Sequence, residues 1–129
     1  MKLPQKEVSA AEWEIIHAVW QTDEPVTVRQ VLDQTYPRGE KAYTTVQTLM
    51  NILVEKGFLS RRKHGRLNYY TAAIHREEVL RSSLANIAQR MFQGSWGAMA
   101  SFLVGSVKLT PEELAELKRL LAERSEETS

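Results

Sequence analysis

The sequence predicts a mainly α-helical protein with one small β-hairpin. Three observations indicate this fold class: Ser- and Thr-based capping motifs begin several helices, the hydrophobic period changes at Phe58, and helical periodicity returns after Ala73. With 129 residues, the chain has room for one domain, or for one small domain and an appended element. We expect the boundary near Ala73, so that residues 1–73 form the first domain and residues 74–129 the second.

The first predicted helix begins at a capping-box motif, in which the side chains of Ser9 and Glu12 are expected to bond to each other's backbone. Apolar or aromatic residues then recur at the helical spacing i, i+3, i+4 and i+7. They are Trp13, Ile16, His17 and Trp20. We therefore expect this face, including His17, to lie in the core or at its edge.

The second and third predicted helices are separated by a short Pro-Arg-Gly turn, as in a helix-turn-helix unit. Capping boxes starting at Thr27 and Thr44 mark the two helices, and the second of these helices is predicted over residues 42–56. Gly57 is suited to the cap at its C-terminal end. The predicted inner faces comprise Val28, Val31 and Leu32, and Val46, Leu49, Met50 and Leu53.

After Gly57 the pattern changes to that of two short strands. The segments 58–63 and 66–71 flank the dipeptide His64-Gly65, which is typical of a two-residue hairpin turn. Residues 9–71 therefore predict the order helix, helix, helix, hairpin.

Three more helices are predicted in the second half of the chain. The first spans about 75–93 and the second 95–104. The third follows Thr110, with Pro111 at the first helical position. We expect residues 125–129 to fray.

These last helices carry more apolar side chains than one thin layer of a monomer can cover. The first of them has apolar residues at the spacing 4, 3, 4, which is typical of a helix that packs along a partner. Exposed apolar patches usually mark interfaces, so we expect a homodimer, although these residues could instead complete the core of the monomer. The predicted interface residues are Leu80, Leu84, Ile87, Met91, Trp96, Met99, Phe102, Leu103, Leu114, Leu117 and Leu121.

The near-neutral total charge conceals a strongly basic segment. The chain has 17 Lys and Arg against 16 Asp and Glu, a net charge of +1. Residues 1–37 carry 3 basic and 6 acidic side chains, residues 38–76 carry 8 and 2, and residues 77–129 carry 6 and 8. The middle segment is a candidate footprint for a polyanion, although charge runs are often no more than solvated surface.

Enzymatic and metal-based functions find no support in the residue types. Because the chain has no cysteine, we exclude a disulfide framework, Cys-ligated zinc and a thiol nucleophile, and we expect a cytoplasmic protein. The three histidines, His17, His64 and His75, have no metal-ligand spacing. We therefore predict no enzyme activity, no cofactor and no metal. The longest uncharged run, 91–107, contains Gly, Ser and Gln, so we expect no membrane insertion.

The third helix and the hairpin together favour double-stranded DNA as the partner. Outward positions of this helix carry small hydroxyl and amide side chains, which can contact adenine and thymine in the major groove, and Thr45 lies at the flank of this face. The basic residues of the hairpin, with His64, would lie along the DNA backbone. The predicted DNA-binding residues are Arg38, Lys41, Tyr43, Thr44, Thr45, Gln47, Thr48, Asn51, Arg61, Arg62, Lys63 and Arg66.

Several segments resemble the BlaI/MecI/CopY penicillinase repressor family. They are Ser-Ala-Ala-Glu-Trp-Glu from Ser9, Tyr-Thr-Thr-Val-Gln-Thr-Leu from Tyr43, Leu-Val-Glu-Lys-Gly-Phe-Leu from Leu53, and Leu-Thr-Pro-Glu-Glu-Leu from Leu109. The resemblance implies a winged helix-turn-helix domain followed by a helical dimerisation domain, and repression by a homodimer bound to palindromic operators. It implies DNA contacts by Thr45 and Thr48 of the recognition helix and by Arg62, Lys63 and Arg66 of the wing.

The chain departs from the pattern of that family in three respects. Ile52 stands where members often carry a basic residue. Antibiotic-responsive members are cleaved between Asn and Phe under the control of a membrane sensor, and the corresponding bond here is Ser101–Phe102. The resemblance thus implies a membrane sensor and protease system as a further partner. Copper-responsive members carry a cysteine-rich metal motif, which this chain lacks.

The leading hypothesis is a repressor with helix 42–56 in the major groove and the 58–71 wing on the DNA backbone. Two other functions stay open. A winged-helix fold can serve as a protein-interaction module that does not read DNA. A regulator of this kind can also sense a small ligand, with Trp96 and Phe102 as candidate lining residues.

Overall fold

The computed structural model describes residues 7–128, which form six helices and a two-stranded antiparallel hairpin. The elements are α1 Ala10–Trp20, α2 Val28–Thr35, α3 Tyr43–Lys56, β1 Leu59–His64, β2 Leu67–Ala72, α4 Arg76–Met91, α5 Trp96–Ser106 and α6 Pro111–Thr128. The predicted fold class is confirmed. The chain divides into two compact units, of which the first ends at Ser83 and the second starts at Leu84. This division falls inside α4, whereas the sequence predicts a boundary near Ala73.

The capping box at the start of α1 is extended by an ion pair to the end of α3. The Ser9 N–H donates to Glu12 Oε1 at 2.9 Å, and the Glu12 N–H donates to Ser9 Oγ at 3.1 Å. Lys56 Nζ donates to both oxygens of Glu12, at 2.8 and 3.0 Å, and to the Glu7 carbonyl at 2.7 Å. Burial works to raise the pKa of Glu12, but the hydrogen bonds from Lys56 and Ser9 outweigh it and hold that pKa below its usual value.

The inner face of α1 differs from the predicted one. The residues that are almost fully buried are Ile15, Ile16 and Val19. His17 is exposed, and its ring lies beside Trp13 and Trp20 at centroid distances of 6.0 and 5.4 Å. Of the two predicted places for His17, the core is therefore wrong, and its contacts with two half-buried tryptophans agree with the edge of the core. The aliphatic positions follow the same helical period, and the large aromatic rings cover the edge of the core instead of filling it.

The core of the first unit is formed by the inner faces of α1, α2 and α3 together with the hairpin. The predicted capping box at Thr27 begins α2, and the inner faces of α2 and α3 are confirmed, except that Leu49 is half-buried. The core residues outside α1 include Val26, Val28, Val31, Leu32, Tyr36, Val46, Met50, Leu53, Phe58, Leu59 and Tyr70. Gly57, with φ of 89°, caps α3 in the left-handed conformation predicted for it.

The hairpin turn lies one residue later than the sequence predicts. His64 pairs with Leu67, so that the two turn residues are Gly65 and Arg66. Gly65 has φ of 66° and stands at the first turn position. A type II′ turn requires glycine at that first position, because its positive φ is costly for a residue with a Cβ.

The second unit contains the end of α4 and all of α5 and α6. Ser95 caps α5, and Thr110 exchanges hydrogen bonds with Glu113 at the start of α6. The described part of the C-terminal segment that is predicted to fray, 125–128, belongs to α6, which continues to Thr128. Within residues 7–128, no helix is both long and apolar enough to cross a membrane.

We expect Glu12→Gln to lower the free energy of unfolding by about 1–3 kcal/mol at neutral pH, because Lys56 then loses its charged partner. The pKa of Glu12 is lowered by folding, so its contribution is present above the unfolded-state pKa and is lost as the pH falls through the folded-state pKa. The difference between wild type and variant should therefore shrink in acid.

Urea unfolding from neutral pH to about pH 3 measures this difference. Glu55→Gln is the matched control, because Glu55 precedes Lys56 on α3 and is exposed. A loss of stability that is equal at both ends of the pH range would contradict the assignment.

Candidate nucleic-acid interface

The N-terminal end of α3 begins at Ala42, which has no side-chain acceptor with which to cap the helix. The capping box predicted at Thr44 is therefore wrong, and Thr44 lies inside the first turn. The Ala42 carbonyl accepts the N–H of Val46 at 3.1 Å, and the ring of Tyr43 packs against the core with the Arg29 guanidinium 5.1 Å from its centroid. The packing of Tyr43 therefore favours a helix that begins at Tyr43, one residue before the predicted capping residue Thr44.

The N-terminal half of α3 presents hydroxyl groups to solvent. Thr44, Thr45 and Thr48 are exposed, and Gln47 is half-buried. Thr45, which the sequence pattern places only at the flank, is therefore as accessible as its neighbours. Opposite this surface Val46 and Met50 are fully buried, so the helix cannot turn its hydroxyl face away from solvent.

Asn51 lies on the same face, one turn further along α3. Its Oδ1 accepts a hydrogen bond from Arg61 Nη1 at 2.7 Å and another from Tyr70 Oη at 2.8 Å. An amide oxygen has two lone pairs, and both are used here. A bidentate contact to adenine needs that oxygen as an acceptor. The prediction that Asn51 reads a base therefore does not fit this geometry.

Tyr70 connects the hairpin to the rest of the first unit. Its side chain is fully buried, and its backbone exchanges hydrogen bonds with Val26 at 2.9 and 2.7 Å, just before α2. Burial raises the pKa of the Tyr70 hydroxyl, against the opposing effect of the nearby Arg61 charge. The hydroxyl is therefore a hydrogen-bond donor to Asn51 over the whole physiological pH range.

The basic residues of the hairpin are divided between its two faces. Arg61 pairs with Tyr70, and paired residues of antiparallel strands project to the same face. Because side chains alternate along a strand, Lys63 follows Arg61 on the face towards α3, whereas Arg62 and His64 lie on the other. Arg66 lies in the turn.

This arrangement of three helices and a basic hairpin has relatives among known proteins. The sequence profile described as "Penicillinase repressor" matches residues 8–123. The chain belongs to the penicillinase repressor family. Because members of this family are transcriptional repressors, the chain is a DNA-binding transcriptional repressor.

Two relatives and one solved structure illustrate the similarity. The Penicillinase repressor of Bacillus licheniformis is 26% identical over 95% of this chain and 93% of its own length. The Methicillin resistance regulatory protein MecI of Mammaliicoccus sciuri is 22% identical over 89% of this chain and 93% of its own. The solution structure of monomeric Bacillus licheniformis BlaI with the blaP half-operator matches 57% of this chain and 88% of that one, with 26% identity and a TM-score of 0.47.

Two further cations of this repressor lie in the turn between α2 and α3. Arg38 is exposed, and its backbone N–H donates to the Glu40 carboxylate at 2.7 Å. Lys41 is half-buried, with Nζ 5.4 Å from the ring centroid of Tyr36. Both predicted residues therefore precede the exposed start of α3. Among residues 7–128 there is no cluster of His, Cys, Asp and Glu that could hold a metal ion.

The residues predicted for a dimer interface lie mostly at the surface of the single chain. The exposed ones are Leu80, Leu84, Ile87, Met91, Trp96, Phe102, Leu103, Leu114 and Leu121, and Leu117 is half-buried. Met99 is an exception, because at 7% exposure it has little surface left for a partner. Ser101 and Phe102 are exposed in the middle of α5, and the Phe102 ring lies 5.9 Å from that of Phe92.

We expect Ala42→Ser to raise the free energy of unfolding by about 0.5–1 kcal/mol, because its hydroxyl can accept an N–H from the first turn of α3. Ala42 already has the extended backbone of an N-cap residue, so the substitution requires no rearrangement. Urea unfolding measures the gain. Ala42→Val, which adds no acceptor, serves as the control, and equal stabilities of the two variants would contradict the uncapped start of α3.

Proposed function

We propose that this repressor acts as a homodimer on palindromic operators, with α3 in the major groove and the hairpin as a wing on the DNA backbone. The observation that carries the proposal is the exposed N-terminal half of α3. It presents Thr44, Thr45 and Thr48 beside a basic hairpin, and it begins at an uncapped helix N-terminus. Partial positive charge at such a terminus favours a phosphate, and hydroxyl groups suit base edges and phosphates alike.

In this proposal the residues fall into two groups. Side chains at the start of α3 meet the major groove. They are Tyr43, Thr44, Thr45, Gln47 and Thr48. The cations around them neutralise phosphates and fix the register without reading sequence. They are Arg38, Lys41, Arg61, Arg62, Lys63 and Arg66.

The homodimer is supported by the apolar side chains of the second unit. Trp96, Phe102 and Leu103 are 48–58% exposed, and Met91 is 74% exposed. Soluble monomers seldom leave so many large apolar side chains together at their surface. A twofold dimer presents two α3 helices to successive major grooves, about 34 Å apart, which matches the symmetry of a palindrome.

We also propose that binding is the whole activity of this cytoplasmic protein, without an enzymatic step, since the family is one of repressors. Cleavage at Ser101–Phe102 by a protease under a membrane sensor is a further hypothesis. Both residues are exposed, although they lie within a helix that must open before a protease can bind an extended segment.

We expect the protein to bind a palindromic duplex with an affinity that falls steeply with salt, because bound cations release counterions from the DNA. Arg62→Ala and Lys63→Ala should weaken binding to all sequences, and each should lower the log–log salt slope by about 1. Thr48→Ala should change sequence preference with little effect on the slope. Fluorescence anisotropy with duplexes selected from a random library, and with scrambled versions, measures these effects.

Lys118→Ala is the matched control for charge, because Lys118 is an exposed cation on α6. If the wild type binds neither duplex, or binds both equally, the proposal is wrong. Binding of a protein partner through residues 43–66 without competition from DNA would then favour a protein-interaction module. A thermal shift caused by a small effector would favour a ligand sensor.

We expect the double variant Leu84→Glu and Ile87→Glu to be monomeric, because charges would then replace exposed apolar groups on one face of α4. Its affinity for the palindrome should fall while its affinity for a half-site is retained. Sedimentation equilibrium measures the mass. Gln89→Glu, exposed on the opposite side of the same helix, is the control, and a variant that stays dimeric would contradict this interface.

A further inference from the structure

Arg61 is a residue of the wing, and its guanidinium is also hydrogen-bonded to α3. Arg61 Nη1 donates to Asn51 Oδ1 at 2.7 Å, although the two residues are 10 positions apart on different elements. Arg62, which carries the same side chain, lies on the opposite face of the strand. Of these two neighbouring arginines, Arg61 is therefore the one that the fold ties to the helix proposed to enter the major groove.

The acceptor for Arg61 is itself held in place. The Tyr70 hydroxyl donates to the same Asn51 oxygen at 2.8 Å, and Tyr70 is fully buried with both backbone groups bonded to Val26. A donor with so little freedom fixes the orientation of the Asn51 amide. Because the direction of this acceptor is already set, the Arg61 side chain is ordered before DNA binds. It therefore loses less side-chain entropy on binding than an arginine without such a contact.

The position of Arg61 extends the exposed surface of α3. Thr44, Thr48 and Asn51 stand at i, i+4 and i+7 and so share one face of the helix. Arg61 lies at the Asn51 end of that face and remains exposed. A guanidinium has five N–H donors in a planar fork, so one bond to Asn51 leaves others free for a second acceptor. A DNA phosphate accepts such a fork through two oxygens.

We propose that Asn51 is a positioning residue, which holds Arg61 at the end of the Thr44–Thr48 face so that the remaining guanidinium donors bind a DNA phosphate. The inference rests on the proposed function, because it needs α3 in the major groove. Asn51 contacts no DNA in this arrangement. It acts through Arg61, and it couples the wing to the recognition helix.

A double-mutant cycle on DNA binding tests this role. Asn51→Ala should weaken binding to the palindromic duplex by about three- to tenfold in the wild-type background. In the Arg61→Ala background the same change should have no further effect beyond about twofold. In the Arg62→Ala background, which removes an equal charge from the other face of the wing, Asn51→Ala should cost the full factor. Arg61→Ala itself should lower the log–log salt slope by about 1.

A purely structural role for Asn51 would weaken binding equally in all three backgrounds, and that result would overturn the inference. Circular dichroism and thermal unfolding establish that each variant is folded. If Asn51→Ala does not fold, Tyr70→Phe takes its place, since it removes the hydroxyl that orients the Asn51 oxygen. The criterion of no effect in the Arg61→Ala background is unchanged. If the wild-type protein does not bind the palindrome, the proposed function is wrong. If it binds, but the losses of affinity caused by Asn51→Ala and Arg61→Ala simply add, only this inference is wrong.

Discussion

Tyr70 is the residue at which the wing, the segment before α2 and the helix α3 meet. Its backbone pairs with Val26, its ring fills the core, and its hydroxyl donates to Asn51. A hydroxyl buried without a partner would cost about 1–3 kcal/mol, so Asn51 must stay close to the core in order to accept it. Tyr70 therefore links the two exposed parts of the proposed interface, namely the hydroxyl face of α3 and the basic strand.

The polar contacts of α3 are distributed unevenly along its length. At its C-terminal end Lys56 forms an ion pair with Glu12 of α1, and in the middle Asn51 bonds to the wing. At its N-terminal end Ala42 supplies no side-chain cap, and Thr44 faces solvent. The end of the helix that carries partial positive charge is therefore also the end that remains accessible. This polarity suits a helix that is anchored in its own domain and binds an anionic partner at its tip.

Interactions between residues close together in the sequence were predicted better than those between distant residues. The capping boxes at Ser9 and Thr27 involve residues three apart, and both are confirmed. The box at Thr44 failed because tertiary packing of Tyr43 outweighed a local signal of the same kind. The contacts of Asn51 join residues 10 and 19 positions apart, and a helical period reveals only which face a residue occupies. The helical period therefore identified the exposed surface of α3, but it did not show that Asn51 on this surface is already hydrogen-bonded to Arg61 and Tyr70.

The net charge of the basic segment likewise does not show which of its residues makes a particular contact. A net charge of +6 over residues 38–76 indicates a polyanion partner, but it does not distinguish Arg61 from Arg62. Strand register makes that distinction, because a slip of one residue would exchange the two faces of the hairpin. Such a slip would place the polar Ser60 where Leu59 is now buried, on the face of the strand that also carries Arg61. The burial of Leu59 therefore favours the register in which Arg61, and not Arg62, meets α3, so apolar packing selects the cation that faces the proposed groove.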